Sequence, residues 1–370
     1  MGKQFVSVKQ GIFMMVMYIL GTTFLVAPGI EARRDAWLAY LLALAVSILL
    51  VLIYGRILDH FPGKDMYETL VALMGRRATV IVFSVVTVFI FQHYSYILRS
   101  FGGFINIVGL PEAPVIVPLI SLGVMTALAV YIGIEVLGKW TVFFLIPTAA
   151  FIIFTILMLT RHMDMDQLGP ILENGIGPVM KGTWTLVSLP FAETVAFLYV
   201  LPPLRHKGAA YKIYIWGLLI GFAMVFLVSM TDILVLGVDT ASRLFYPSLT
   251  AMSIIKIGKF IKGLEVIAAS VFTITVFFKA SILLLAIIKN LGRIFELIEP
   301  RILVVPLVSL SISYAINTYQ SGLQFYAAIF IFWPLYSSIF QVLIPILLCV
   351  FLEYRMSRHN KLKEKVLSYP

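Results

Sequence analysis

Residues 182–204 contain the stretch Ser188-Leu189-Pro190-Phe191-Ala192-Glu193-Thr194, which places a proline and a glutamate inside an apolar run. Pro190 has no N–H to donate, and its ring clashes with the preceding helical turn. The run is long enough to cross a bilayer, and an unpaired Glu193 carboxylate near its middle would cost about 2.5–3.5 kcal/mol or more. A membrane helix tolerates such a fault only where protein or a water-filled cavity satisfies the freed backbone groups. The stretch therefore predicts a broken helix beside a cavity.

The first apolar run, residues 10–30, carries a matching interruption. It reads Gly21-Thr22-Thr23, followed by Pro28-Gly29. Taken alone, glycine and threonine pairs more often serve close helix packing. Two interrupted helices that open the two halves of a chain, however, mark the binding site of membrane folds built from inverted repeats. We therefore predict a ligand site between the two breaks, completed by a tyrosine of the third span: Gly21, Thr22, Thr23, Tyr96, Pro190, Phe191 and Glu193.

The composition places the chain among polytopic membrane proteins. Its mean hydropathy is +1.01, with 61% hydrophobic and 12% charged residues, more apolar surface than a soluble protein of this length could bury. The N-terminal apolar run lacks a signal-peptide cleavage pattern and is expected to stay as a helix. The single cysteine, Cys349, excludes an intramolecular disulfide and a thiolate metal cluster. The net charge of +10 is spread over short loops, which indicates membrane orientation rather than nucleic-acid binding.

Uncharged or nearly uncharged stretches predict ten spans and an all-α fold. One domain of residues 1–370 is expected, with two inverted five-helix repeats over about 10–160 and 182–353 and with broken first and sixth helices. The predicted spans are 10–30, 36–55, 78–98, 113–134, 140–160, 182–204, 213–237, 265–288, and two within 302–353.

Lysine and arginine are enriched in the connections on the N-terminal side, which predicts that both termini are cytoplasmic. Of the two long outer connections, residues 161–181 are expected to form an irregular loop. Residues 239–262 mix apolar and polar positions and are expected to form interfacial or re-entrant helices. The short basic tail after Glu353 is expected to contact anionic membrane lipid.

Lys279 lies near the middle of the eighth span, with Thr275 one turn earlier on the same face. Its ammonium is too central to reach the interface easily and is expected to point inward. In sodium-coupled proteins of this architecture a cation bridges the first and eighth spans, and a fixed ammonium could take that place. The site would then work without sodium. The alternative is a structural ion pair.

The third span carries a polar stripe that is expected to face the bundle or a water path: Gln92, His93, Ser95, Tyr96, Arg99 and Ser100. His93 could relay protons, together with Glu193, or could be a buried histidine with its hydrogen bonds satisfied. Arg99 is expected to reach the interface or to pair with a loop carboxylate, and Asp232 near the outer end of the seventh span invites a similar interpretation.

Enzyme signatures are missing from the sequence. It has no Walker loop, no His-Glu-x-x-His and no Gly-x-Ser-x-Gly, and His93 is the only histidine inside a predicted span. Neither an enzymatic activity nor a metal or other cofactor is therefore expected.

Several stretches resemble one known family. They are Lys9-Gln10 leading into Leu20-Gly21-Thr22-Thr23-Phe24-Leu25-Val26-Ala27-Pro28, then Leu189-Pro190-Phe191-Ala192-Glu193, and Tyr246-Pro247 followed by Ile257-Gly258-Lys259-Phe260-Ile261 and Leu264-Glu265. Together with the length and the number of spans, they resemble the B subunits of the spore germinant receptors. These form the spore germination permease family within the amino acid–polyamine–organocation superfamily.

The resemblance implies a location in the inner membrane of a bacterial endospore. It also implies assembly with a larger A-type subunit and a C-type lipoprotein subunit, and binding of a small germinant such as an amino acid, sugar or nucleoside. Two other classes stay open from the residues alone. The chain could be a proton-coupled amino acid permease in which Lys279 or Glu193 titrates, or a membrane scaffold whose broken helices bind nothing.

Overall fold

The computed structural model describes residues 6–60, 63–204, 206–255, 264–319 and 321–367, and these ranges contain helices and connecting turns without a strand. The α-helices, in chain order, are α1 Val8–Thr23, α2 Ala36–Asp59, α3 Met66–Met74, α4 Arg76–Val108, α5 Ile116–Ile132, α6 Ile134–Leu159, α7 Ile176–Leu186, α8 Phe197–Val200, α9 Ala209–Leu236, α10 Val238–Ala241, α11 Pro247–Ser253, α12 Leu264–Ile294, α13 Val304–Thr318, α14 Gly322–Ala327, α15 Trp333–Ser338 and α16 Ile344–Leu367.

The all-α, polytopic membrane fold is confirmed. Eight helical segments of the described chain are long and apolar enough to cross a bilayer: Ile30–Asp59, Arg76–Val108, Ile134–His162, Ile176–Val200, Ala209–Leu236, Leu264–Ile294, Pro300–Thr318 and Ala328–Ser357. Two shorter helices fall on the other predicted spans, α1 with 16 residues and α5 with 17. The count of ten spans stays a prediction.

The two interrupted helices form the centre of the bundle. In α1 every side chain from Met14 to Leu20 is fully buried, because this helix packs against α6, α9 and α12. The segment from α7 to α8 is buried along most of its length and contacts α2 and α12. Helices that are apolar on all sides and buried on all sides belong to a core, so the breaks lie where surrounding helices can satisfy them.

The outer helices present apolar side chains away from the bundle. Phe143 and Ile146 of α6, Val305 of α13 and Leu335 of α15 are each at least 60% exposed. A water-soluble protein rarely shows so much contiguous apolar surface. The exposed belt is therefore the lipid-facing surface of an integral membrane protein.

The first of the two long connections is more ordered than the sequence predicts, and the second contains helices as expected. Helix α7 begins at Ile176 rather than after residue 181, and the preceding loop docks on the α1–α2 connection, where the Leu172 N–H donates to Asp35 at 2.9 Å. The expected helices of 239–262 appear as α10 and α11. Residues 256–263, with the stretch Ile257 to Ile261, lie outside the described residues.

A short helix that the sequence analysis did not predict lies on the N-terminal side of the bundle. Asp65 caps α3 and accepts from the Glu68 N–H at 2.9 Å. Arg293 at the end of α12 donates to Asp65 at 2.6 Å and to Glu68 at 3.0 Å, and the Lys289 ammonium lies 3.8 Å from Asp65. These charges fasten α3 to the end of α12.

Candidate functional site

The first break falls at Gly21, where φ is 1° and ψ is −105°. The carbonyl oxygens around it find partners on other helices. The Thr275 hydroxyl donates to the Gly21 carbonyl at 3.0 Å, and the Ser248 hydroxyl lies 3.2 Å from the Phe24 carbonyl. The break in α1 is therefore stabilised by α12 through Thr275, and α11 contacts it through Ser248, whose shorter hydrogen bond goes to Asp232 at 2.5 Å.

The second break follows from Pro190. The chain forms a π-helical turn at Val187–Phe191 and a 3₁₀ turn at Ala192–Ala196, since the proline cannot continue the regular bonding pattern. The Tyr54 hydroxyl donates to the Gln341 carbonyl and also lies 3.4 Å from the Ala192 carbonyl. The Tyr214 hydroxyl lies 3.5 Å from the Thr194 carbonyl. Both tyrosines come from neighbouring helices, α2 and α9, so this break is also stabilised from outside.

A buried cluster of charged and polar groups joins the two breaks. The Lys279 ammonium donates to Glu193 Oε2, and it lies 3.4 Å from the Thr22 hydroxyl and 5.2 Å from the centre of the Tyr18 ring. On the other side of the carboxylate, His93 Nε2 lies 3.2 Å from Glu193 Oε1. Lys279 is 0% exposed, Glu193 3% and His93 2%.

This cluster compensates its own charge. Two opposite charges removed from water are tolerated when they are in contact and their remaining polar atoms are satisfied. The Lys279 ammonium stands beside the Glu193 carboxylate, so the carboxylate does not need a bound metal cation to balance it. Lys279 also links α12 to both broken helices, because Thr22 belongs to the first break and Glu193 to the second.

A cavity of about 360 Å³ lies directly against this cluster. Its lining comes from the first break, the second half of α4, the second break, the segment before α11 and the helices after α13: Thr22, Thr23, Val26, Pro28, His93, Tyr96, Ile97, Arg99, Ser100, Gly103, Ile107, Leu189, Glu193, Phe245, Tyr246, Gly322, Phe325, Ile329, Phe330 and Trp333. From His93 to Ile107 the cavity follows α4 for roughly 21 Å, toward the side opposite the N-terminus.

The predicted site residues separate into three groups. Thr22, Thr23, Tyr96, His93 and Glu193 line the cavity. Gly21, Thr275 and Lys279 form the second group, which lies behind the lining. In this group the Thr275 hydroxyl contacts the Gly21 carbonyl, and the Lys279 ammonium contacts Glu193.

Pro190 and Phe191 lie apart from the cavity. Both are buried and absent from its lining, and the Phe191 ring packs against Phe222 of α9 at 5.7 Å. The π turn also engages its own amides, since the Ala192 N–H donates to the Val187 carbonyl. At the Pro190 break, Leu189 and Glu193 therefore face the cavity. The Phe191 ring points away from the cavity and fixes the broken segment against α9.

Two polar residues have surroundings that differ from the prediction. Arg99 is only 8% exposed and lies over the Phe325 ring at 5.7 Å, and among the described residues it has no carboxylate within 4.0 Å. It neither reaches the interface nor pairs with a loop carboxylate. Asp232 is buried and accepts from the Ser248 hydroxyl at 2.5 Å.

The sequence did not predict the aromatic side of the cavity, which Trp333, Phe325 and Tyr96 form and which we call the aromatic wall. The Trp333 ring lies 5.1 Å from the His93 ring and 4.7 Å from the Tyr96 ring, and Phe325 lies 5.4 Å from Tyr96. Phe325 and Trp333 belong to α14 and α15, far from both breaks in the sequence. The one available signal was Trp333-Pro334, an aromatic residue and a helix-bending proline inside the last apolar stretch.

Comparison with known proteins identifies the family. The family model described as "Spore germination protein" matches residues 5–323. The chain is therefore a member of the spore germination protein family. Spore germination protein KB of Bacillus subtilis (strain 168) is 29% identical over 98% of this chain and 98% of its own length. Spore germination protein XB of Bacillus anthracis is 24% identical over 64% of this chain and 74% of its own length.

Solved transporter structures share the fold of this spore germination protein. Mhp1, a nucleobase-cation-symport-1 family transporter with bromovinylhydantoin bound, superimposes with a TM-score of 0.68 at 11% identity, covering 89% of this chain and 75% of Mhp1. A manganese transporter of Eremococcus coleocola gives a TM-score of 0.60 at 14% identity, covering 93% and 78%. At these identities the likeness concerns the architecture alone.

Proposed function

We propose that this spore germination protein is the membrane subunit of a germinant receptor and binds a small germinant in the 360 Å³ cavity. The observation that carries the proposal is the position of the cavity between two broken helices, above a self-compensated Lys279–Glu193 pair. Small-molecule sites are concave, mostly apolar, and carry a few polar groups that fix orientation. This cavity has that character and is large enough for a molecule the size of an amino acid, a sugar or a nucleoside.

A ligand in the cavity would contact both breaks, α4 and the aromatic wall at once. It changes the conformational equilibrium only if it binds one arrangement of these elements better than another. The breaks are the expected moving parts, since they lack continuous α-helical bonding and side chains of other helices hold part of their backbone. In the proposed receptor the change passes to A-type and C-type subunits in the spore inner membrane. With both termini cytoplasmic, the cavity lies on the side from which a germinant arrives.

A second candidate is a proton-coupled amino acid permease. The observation that favours it is the contact between His93 and Glu193 at the cavity floor, two groups able to exchange a proton. The shared architecture with transporters is compatible with both functions. A permease must move its ligand through the membrane, whereas a receptor needs only the conformational change.

Glu193→Gln tests the proposed function in spores that carry the variant as their only copy. The change keeps the shape but removes the charge that holds Lys279 and His93. We therefore expect the half-maximal germinant concentration to rise at least about tenfold after normalisation to the amount of variant protein in the spores. Glu112→Gln is the matched control, because Glu112 lies exposed in the α4–α5 connection. An unchanged dose response for Glu193→Gln would refute the proposed site.

Uptake of a labelled germinant into vesicles separates the two candidates. If the protein is a receptor, we expect added germinant to stabilise it against unfolding without any net accumulation of germinant in the vesicle lumen. Accumulation that depends on a proton gradient, with loss in Glu193→Gln, would establish the permease instead. If the germinant neither stabilises the protein nor accumulates in the vesicles, a membrane scaffold is the remaining explanation.

A further inference from the structure

Arg99 is the one charged side chain of the cavity lining that has no ion-pair partner among the described residues. It is more than nine-tenths buried. Its Nε has no hydrogen-bond partner within the described chain, and its guanidinium lies over the face of the Phe325 ring at 5.7 Å. A guanidinium carries five N–H donors and is always charged. A guanidinium that faces a mainly apolar cavity without a counter-charge favours the entry of an anion.

The other charges beside the cavity are already balanced. Glu193 is in contact with Lys279 and lies next to His93. The carboxylate therefore has little attraction left for a ligand cation, and the ammonium has little left for a ligand anion. Arg99 therefore makes the electrostatic potential of the cavity positive, and the cavity prefers a negatively charged ligand group.

Arg99 also occupies a distinct level of the cavity. It follows His93 by six residues, roughly 9 Å along α4, and its Nη1 lies 3.8 Å from the point that a Cβ on Gly103 would occupy. The guanidinium is thus directed along α4 away from the Glu193 level. Around it the lining is aromatic, with Tyr246 and Phe325. The outer half of the cavity therefore offers one cation surrounded by apolar rings.

We propose that Arg99 binds the carboxylate of the ligand, and that the germinant is a small organic monocarboxylate with an apolar body. Zwitterionic amino acids are included, because their ammonium can donate to neutral hydroxyl groups of the lining such as those of Ser100 and Tyr246. The inference rests on the proposed function and specifies its ligand class. A planar guanidinium can hold both oxygens of a carboxylate in parallel hydrogen bonds. The body of the ligand then extends toward Tyr96 and Trp333, where apolar surface is available.

The same geometry disfavours the other germinant classes. A neutral sugar or nucleoside would bury Arg99 without an anion, and desolvating an unpaired charge opposes binding. A phosphate dianion would bring a second negative charge, and the other group of the described lining that can carry a positive charge, His93, already lies next to Glu193. Carboxylate and guanidinium match one to one.

Matched pairs of compounds test the carboxylate directly. Purified full-length protein in lipid nanodiscs is heated in the presence of L-alanine, L-valine or L-phenylalanine and, in parallel, of the corresponding amino acid amides, D-glucose, inosine and inorganic phosphate. We expect concentration-dependent stabilisation by at least one amino acid, and an affinity at least about tenfold weaker for its amide, which lacks the negative charge.

Variants locate the effect. Arg99→Met keeps the apolar stem and is expected to weaken carboxylate binding at least about tenfold. Arg99→Lys keeps the charge without the planar fork, so its affinity for the carboxylate should lie between those of wild type and Arg99→Met. This variant keeps the test decisive even if the methionine variant accumulates poorly. Arg161→Met is the control, because Arg161 is exposed on the same side of the membrane.

The outcomes separate the two proposals. Equal stabilisation by an acid and its amide, stabilisation by glucose, inosine or phosphate alone, or wild-type affinity in both Arg99 variants would overturn the carboxylate site but leave a ligand-binding cavity. If none of the compounds stabilises the protein, the carboxylate proposal fails. The proposed function then depends on the germination response of Glu193→Gln, which does not require the ligand class to be known.

Discussion

The Lys279→Met variant probes the contact on which the site depends. Methionine retains much of the length of the side chain but removes the ammonium that contacts Glu193 and Thr22. The Glu193 carboxylate is then left with His93 as its nearest cationic candidate, at 3.2 Å. Both members of the lysine–glutamate pair are almost fully buried, although Glu193 borders the cavity, so water and salt screen the loss only weakly.

The expected magnitude follows from this burial. Removing one partner of a buried ion pair typically costs about 3–5 kcal/mol, because the other charge stays buried and unpaired. Lys279→Met should therefore lower the free energy of unfolding by about 3–5 kcal/mol, and Glu193→Gln should cost a similar amount. The double variant leaves no unpaired charge, so its loss should be smaller than the sum of the two single losses.

The assay is a double-mutant cycle on the free energy of unfolding in detergent micelles. Lys207→Met serves as control, since Lys207 is exposed in the α8–α9 connection. We expect a coupling energy between Lys279 and Glu193 of about 3 kcal/mol or less, but clearly above the scatter of about 0.5 kcal/mol seen for independent sites. Additive losses, or a Lys279→Met protein as stable as wild type, would refute the charge compensation.

Three further outcomes are expected. Ligand-induced stabilisation should persist when sodium is replaced by an organic cation, because Lys279 already stands beside Glu193; a strict sodium requirement in the nanodisc assay would contradict this. Gly21→Ala should reduce thermal stability and germination, since its methyl group would overlap the Lys279 side chain, whereas Gly177→Ala meets open space; equal effects would argue against close packing. Burial raises the pKa of Asp65, but the charges of Lys289 and Arg293 and the Glu68 N–H outweigh it and hold that pKa below its ordinary value of 3.8. A lowered folded-state pKa stabilises above the ordinary value and is lost as the pH falls through the lowered one. The stability difference between wild type and Asp65→Asn should therefore shrink below pH 3.8, and a constant difference would exclude the pairing.

The sequence alone determined the membrane class, the helical fold and the two breaks. Each rests on a local property. Long uncharged runs fix where helices cross, and Gly21 and Pro190 interrupt regular bonding wherever their helices lie. The cost of a mid-membrane charge also predicted that Glu193 and Lys279 point inward, as their burial shows. Where these two side chains would meet was open, since the alternatives for Lys279 included a substitute for sodium and a structural pair.

Only the tertiary structure decided the partners. Periodicity gives the height of a side chain and its face on its own helix, but it does not say which distant helix lies opposite. The pairing of Lys279 with Glu193, the turning of Phe191 toward Phe222, and the fastening of α3 by Arg293 all join residues far apart in the chain. Arg99 was expected at the interface for the same reason. A charge near the end of a span looks exposed until the loop and helix that cover it, with Tyr246 and Phe325, are in place.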